Sequence, residues 1–357
     1  MQKKASDSEH AEHTTARRGV MRAGRLLRFS LLFVFLSLLG VYAVYSRVPT
    51  EKVIWDSGLL SIRFILSTAV LLCVYFFLDG LRLWFVLRAL NHKVALHTMI
   101  RLVFINLFVA NVTPLATGGG VAQVWYLQRY GVPVGTAMTA TTIRTVLAVL
   151  FIFSIGPLML LKFTDAQTLS RYSSIFHALG LFATVYIIFF AAVMLGTGGL
   201  IKLLVWLIKF LQRLHLLSRR RYVLWKKGIV DEMKRFAAGF RTYLKGNTYF
   251  ILASLLSTAG FLLSLFSFPA IITTALGYEL DYWLIIGRLV ITTFVMYFSP
   301  TPGASGIAEG VFGYFFSDIL TAGHLVLVTV LWRGITIYLG MGIGVFFMHR
   351  EITHEST

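Results

Sequence analysis

The sequence predicts an all-α polytopic integral membrane protein, with about six full spans and two broken re-entrant helix pairs in an inverted repeat. Three observations predict it. Of 357 residues, 57% are hydrophobic and 13% charged, and the mean hydropathy is +0.77, whereas about a quarter of a soluble domain is charged. Apolar runs long enough to cross a bilayer recur along the chain. Two further apolar stretches are interrupted by Pro and Gly at matching places. This composition excludes a soluble enzyme, a secreted disulfide scaffold and a disordered chain. The single cysteine, Cys73, leaves no disulfide within the chain and no cysteine-based zinc site.

Residues 1–28 read as a polar, basic cytoplasmic tail ending in Arg17, Arg18, Arg22, Arg25 and Arg28. His10 and His13 fall in this solvated segment and are not expected to bind metal. The first transmembrane half is expected over 29–197. It begins with an uncleaved span at 31–45, since no small-x-small cleavage site precedes Arg47. Spans then follow at 62–81, 134–161 and 174–197, with a broken pair at 99–128. The second half, 248–348, carries spans at 248–275 and 324–348 around a broken pair at 283–317. Residues 349–357 read as a short cytoplasmic tail.

Each broken pair is predicted from its breakers. Asn111-Val-Thr-Pro-Leu-Ala-Thr-Gly-Gly-Gly120 interrupts the first and Ser299-Pro-Thr-Pro-Gly-Ala-Ser-Gly306 the second. Proline removes a helical donor and glycine lacks helix propensity, so each stretch should be two short helices meeting at an irregular apex. Irregular backbone at membrane depth is tolerated where protein buries it or where it lines a cavity. The alternative is that these residues only kink two ordinary spans.

The basic residues set the topology. The chain holds 33 Lys+Arg against 15 Asp+Glu, a net charge of +18. Residues 202–245 carry twelve basic and two acidic side chains, and 1–28 carry seven and three. Under the positive-inside rule both segments, and the loop with Arg88, Lys93 and Arg101, belong in the cytoplasm with both termini. That assignment works only if each broken stretch enters and leaves on one side, the first from the cytoplasm and the second from outside. Residues 198–247 read as basic amphipathic helices on the inner interface, with anionic membrane lipids as partners. A nucleic-acid partner is not expected, and homo-oligomerisation stays open.

Paired interrupted segments in two halves point to an inverted-repeat transporter. Pro114 to Arg144 is 30 residues and Pro302 to Arg333 is 31, although identity between the halves is low overall. Charges inside an apolar phase cost roughly 2.5–3.5 kcal/mol each on insertion scales, so each needs a reason. The candidates are Asp79, Arg144, Arg288, Glu309 and Arg333. Asp79 and Arg82 read equally well as a local pair near a membrane end, and Arg288 as an outer-interface residue. Arg144 and Arg333 recur in both halves.

The expected substrate site gathers Thr113, Pro114, Gly118, Gly119, Gly120, Gln123 and Arg144 with Pro302, Gly303, Ser305, Gly306, Glu309 and Arg333. Helix N-termini after the two apices would offer amides to a phosphate, glycine would let backbone approach, and an arginine would hold two phosphate oxygens. Glu309 would pair with an arginine, meet a cationic headgroup or carry a proton. Its first-half counterpart, Gln123, cannot titrate. Gly340, Gly342 and Gly344 read as close helix packing. No Ser-His-Asp set, paired catalytic carboxylates or HExxH motif occurs, and no cofactor or metal is expected.

Residues 113–145 (TPLATGGGVAQVWYLQRYGVPVGTAMTATTIRT) and 300–316 (PTPGASGIAEGVFGYFF) resemble the lysylphosphatidylglycerol synthase transmembrane-region family, also called flippase-like membrane proteins. The resemblance covers about 25–348, and Pro114, Gly118, Gly119, Arg144, Pro302, Gly303, Gly306, Glu309 and Arg333 match its motif positions. In multiple-peptide-resistance proteins this domain moves aminoacylated phosphatidylglycerol between leaflets, while a separate soluble domain makes the lipid. Other relatives are linked to polyprenyl-lipid or envelope glycolipid pathways. The resemblance implies a lipid translocator of a prokaryotic plasma membrane, whose substrate is a phospholipid or lipid-linked glycan. With the chain ending at Thr357, the soluble aminoacyltransferase domain is not expected, nor is an enzyme. Many relatives carry an acid where Gln123 stands. The rival readings are a membrane-embedded transferase using Glu309 or Asp79 as base, and a non-transporting partner of envelope enzymes.

Overall fold

The computed structural model describes residues 57–163 and 238–353, with single helical positions at 31, 35, 42, 180, 181, 184, 185, 188, 206 and 209. Apart from those positions, the expected spans at 31–45 and 174–197, the tail 1–28 and residues 198–237 lie outside the described residues. The described chain is helical throughout, with no strands among its residues.

The helices fall into two matching series. The first comprises α1 (Ile62–Ala89), α2 (Leu96–Val112), α3 (Thr117–Arg129) and α4 (Val134–Phe163). The second comprises α5 (Thr248–Ala275), α6 (Tyr282–Met296), α7 (Ile307–Phe316) and α8 (Ala322–Arg333), the last continuing through a π-helical turn, Gly334–Tyr338, into α9 (Leu339–Thr353). α9 therefore runs beyond residue 348, where a tail was expected. Helices α1 and α5 are both 28 residues long and both are followed by a six-residue connection. At 1.5 Å per residue each is about 42 Å long, enough to cross a hydrocarbon core of about 30 Å. Among the described residues, four helices are long and apolar enough to cross a membrane: Ile62–Ala89, Val134–Ile155, Thr248–Ala275 and Ala322–Glu351. At 13 and 10 residues, α3 and α7 span only about 20 and 15 Å and cannot cross alone.

Local chemistry starts the helices as expected for polar caps. Ser61 Oγ accepts the Phe64 N–H at 3.3 Å to start α1, Asn247 Oδ1 accepts the Tyr249 N–H at 2.9 Å to start α5, and Asp281 Oδ1 accepts the Leu284 N–H at 2.9 Å to start α6. Both apices are single 3₁₀ turns opened by proline, Pro114–Ala116 and Pro302–Ala304. Each reverses the chain through left-handed backbone: Leu115 and Ala116 have φ of 54° and 52°, Gly303 and Ala304 of 56° and 54°.

α1 and α5 pack antiparallel. Tyr75 stacks on Phe261 with ring centroids 5.1 Å apart, Leu78 lies against Gly260, Phe85 faces Phe250, and Ala89 closes on Gly246. α2 packs antiparallel to α9, with Phe104 beside Phe347. Side chains at Gly340 and Gly344 would strike Leu107 and the Phe104 carbonyl, whereas Gly342 faces open space and contributes nothing to that contact. α6 packs on α4 through Phe294 and Phe153. Thus α2 meets the closing helix of the second series and α6 that of the first. The two 3₁₀ turns touch each other.

Side-chain bonds fix where the broken pairs open. Arg129, ending α3, donates to the Glu351 carbonyl at 3.0 Å, and Tyr130 to Glu351 Oε1 at 3.2 Å. Since α9 runs antiparallel to α2, this brings the end of α3 to the start of α2. In the other pair Arg288, near the start of α6, binds the Phe315 carbonyl and Asp318 at the end of α7. The first pair opens at the end of the bundle that carries Arg88, Lys93, Arg129, Arg241 and Lys245. The second opens at the other end, with Glu279, Asp281 and Asp318.

Candidate functional site

The second apex holds a closed ion pair. Glu309 sits at the third position of α7, where its Oε2 accepts the Gly306 N–H at 2.7 Å and so caps the helix that carries it. Its Oε1 accepts from Arg333 Nε at 3.1 Å, and Arg333 Nη2 donates to the Gly303 carbonyl at 2.8 Å. The pair is 0% and 1% exposed, so no water screens it. Ser305 Oγ turns back to the Pro302 carbonyl at 2.8 Å, and Thr301 Oγ1 donates to the Ser305 carbonyl at 2.9 Å. One acid and one base balance, the Gly303 carbonyl takes a second Arg333 donor, and Arg333 Nη1 has no partner among the described residues.

The first apex is built differently, although its sequence repeats that of the second. Thr-Pro-Leu-Ala-Thr-Gly-Gly-Gly-Val-Ala-Gln (113–123) and Thr-Pro-Gly-Ala-Ser-Gly-Ile-Ala-Glu (301–309) share one pattern, so the halves resemble each other literally here despite low identity elsewhere. Thr113 Oγ1 donates to the Val109 carbonyl at 2.8 Å and accepts the Gly118 N–H at 2.9 Å. Gly118 and Gly119 are buried against Val109, Thr113, Asn106 and Ala110. Their missing side chains let the two limbs pack closely, and of the three glycines Gly120 alone faces open space. The Gly118 and Gly306 amides, expected to be open to phosphate, are already taken by Thr113 and Glu309.

Gln123 occupies the place of Glu309 but donates to Asn106 Oδ1 at 2.6 Å, and among the described residues no hydrogen bond joins it to Arg144. Arg144 finds its acid on α1 instead. Its Nη2 meets Asp79 Oδ1 at 2.6 Å, and the same oxygen accepts Arg82 Nε at 2.6 Å. Asp79, Arg82 and Arg144 are 4%, 7% and 6% exposed, so the Asp79–Arg82 pair is buried in the protein together with Arg144. Arg82 sits over the Phe261 ring, its Cζ 3.9 Å from the centroid. At the same helix positions α5 has Leu265 and Phe268. Two guanidiniums share one carboxylate, and Arg82 Nη1 and Arg144 Nε have no partner among the described residues.

The structure thus joins Gly303, Gly306, Glu309 and Arg333 in one cluster and draws Arg144 into another with Asp79 and Arg82, which lay outside the expected site. The signal was present: with a glutamine at 123, Arg144 needs another acid, and Asp79 is the carboxylate of the neighbouring long apolar helix. Arg288, read as an outer-interface residue, belongs to neither cluster. Among the described residues, no three His, Cys, Asp or Glu side chains gather as a metal site requires.

A membrane protein of Archaeoglobus fulgidus named UPF0104 membrane protein is 23% identical over 307 residues, covering 86% of this chain and 92% of that protein. Residues 28–344 match the family described as Lysylphosphatidylglycerol synthase TM region, and the chain belongs to that family.

Proposed function

We propose that the protein is a flippase-like translocator that moves the headgroup of a phospholipid or lipid-linked glycan across the plasma membrane. The meeting of the two apices carries this reading: left-handed backbone and buried charges come together inside an apolar bundle. Such backbone is tolerated in a membrane where it borders a protected path, and discontinuous helices in matched halves build the sites of known transporters.

In this reading the two helix series form an inverted repeat, and both broken pairs are re-entrant. The antiparallel α1–α5 contact, the exchanged α2–α9 and α6–α4 packing and the opposite openings of the pairs support it. The basic end faces the cytoplasm with both termini. The headgroup crosses between the apices while its tails stay in lipid. No chemistry on the lipid is included. Glu309 is held by Arg333 and the Gly306 amide, and Asp79 by two arginines, which suits charge compensation better than a catalytic base.

Reconstitution tests the proposal. Liposomes containing the protein should scramble or export a fluorescent phospholipid well above protein-free liposomes, read by bleaching of the exposed label. Arg144→Ala combined with Glu309→Gln should reduce the rate at least tenfold in protein that still elutes as the wild type. Wild-type rates in that variant would overturn the site.

A further inference from the structure

We propose that Asp79, Arg82 and Arg144 form a subsite for one singly charged phosphate group, with Arg82 supplying a positive charge that no carboxylate among the described residues compensates. This rests on the translocator reading for its place on a headgroup path. The charge balance does not depend on that reading.

Asp79 Oδ1 receives Arg82 and Arg144, each at 2.6 Å, so three buried groups sum to one surplus positive charge. Among the described residues, Asp79 is the one carboxylate acting on Arg82. A surplus charge in an apolar interior is unfavourable unless an anion completes it. The second cluster provides the internal contrast: Glu309 and Arg333 cancel, and its acid already caps α7.

The geometry also suits phosphate. Arg82 Nη1 and Arg144 Nε are buried N–H donors on two different planar forks and neither has a partner among the described residues. A phosphate diester presents two non-bridging oxygens and one negative charge, which matches two donors and one surplus charge. The Phe261 ring lies against the Arg82 guanidinium, with Cζ 3.9 Å from its centroid. Tyr297, at the end of α6, lies within electrostatic reach of both guanidiniums and adds a hydroxyl on that side of the cluster. Asp79 touches no ligand in this arrangement. It is a positioning residue that aligns the two forks and sets the net charge at one.

Binding to the purified full-length chain in neutral detergent tests this. Dioctanoyl phosphatidylglycerol, net charge −1, should bind at least tenfold tighter than zwitterionic dioctanoyl phosphatidylcholine, read by tryptophan fluorescence. Arg82→Gln should abolish that preference while lowering the thermal unfolding temperature only slightly, since Asp79–Arg144 stays balanced. Arg82→Lys, which keeps the charge, should retain part of the preference, whereas Lys245→Gln at the basic end should leave it intact. Equal affinity for the two lipids in the wild type overturns the proposal without any variant, and so does an undiminished preference in Arg82→Gln. Displacement of phosphatidylglycerol by millimolar inorganic phosphate supports an anion taken from water, and resistance to it supports a lipid headgroup. Because binding requires no transport, a protein that discriminates the lipids but does not translocate overturns the translocator reading alone. One that translocates without discriminating overturns the subsite alone.

Discussion

The two apices use the same pieces and differ in where the acid resides. In the second half the carboxylate is Glu309, on the short helix after the turn, so one residue both neutralises Arg333 and caps its own helix. In the first half that position is Gln123, and Arg144 reaches 65 positions back along the chain to Asp79, already engaged by Arg82. Moving one acid therefore changes a neutral, self-contained lock into a shared cluster with a surplus cation. Two turns that share a left-handed pair of residues can carry different net charge, and a buried guanidinium has to be understood through its partner.

The largest effect should come from forcing the second apex to imitate the first. Glu309→Gln leaves Arg333 buried without its counter-ion and weakens the acceptor of the Gly306 amide. Removing one partner of a buried ion pair costs about 3–5 kcal/mol. Thermal unfolding in detergent should fall steeply for Glu309→Gln and by at most about 1 kcal/mol for Arg82→Gln, whose removal corrects an imbalance. Equal losses in the two variants would mean that the clusters are electrostatically alike, and the comparison would fail.

A smaller effect separates the turns themselves. The first apex places Leu115 and Ala116 in left-handed backbone, while the second places Gly303 and Ala304 there. An L-residue with a side chain pays roughly 1–2 kcal/mol in that conformation. Gly303→Ala should destabilise by about that amount, and Ala116→Gly should be neutral or stabilising by up to about 1 kcal/mol, both read from unfolding midpoints. If Ala116→Gly destabilised as much as Gly303→Ala, backbone conformation would not be what distinguishes these positions.

Much of this architecture was legible in the sequence because its causes are local. Pro114 and Pro302 remove donors where they stand, and the flanking glycines weaken the helix on either side, so both breaks could be placed without knowing any contact. Contact-dependent features were harder to read. Gly118 and Gly119 suggest a ligand cradle, but they fit against Val109, Asn106 and Ala110 across the turn. Gly340, Gly342 and Gly344 look equivalent in sequence, yet only the first and last face α2. The Asp79–Arg144 pair joins two helices far apart in the chain, and spacing within either helix carries no trace of it. It could have been inferred by elimination, since a buried arginine beside a glutamine implies an acid elsewhere.

The smallest expected effect concerns the openings of the two pairs. The second is fastened by Arg288 on Asp318, with Nη2 to Oδ2 at 2.8 Å; the first is fastened in part by Arg129 on the Glu351 backbone carbonyl at 3.0 Å. Asp318 loses its ion pair when it gains a proton, whereas Arg129 is held by a carbonyl that cannot titrate and Tyr130 adds only a neutral hydroxyl bond to Glu351 Oε1 there. Burial alone would raise the Asp318 pKa, but the Arg288 hydrogen bonds and charge outweigh it and hold the carboxyl below its usual value. The folded-state pKa is therefore lower than the unfolded one. Its stabilisation is complete above the unfolded carboxylate value of about 3.9 and is lost as pH falls through the lower folded value. Asp318 is 63% exposed, so screening limits the contribution to well under 1 kcal/mol. Hydrogen exchange should show amides around 315–320 losing protection on acidification below about pH 4, with those at 129–131 holding theirs. Asp318→Asn should reproduce that local loss at neutral pH while leaving the overall unfolding midpoint unchanged. Equal acid sensitivity at both openings would show that the carboxylate does not set the difference between them.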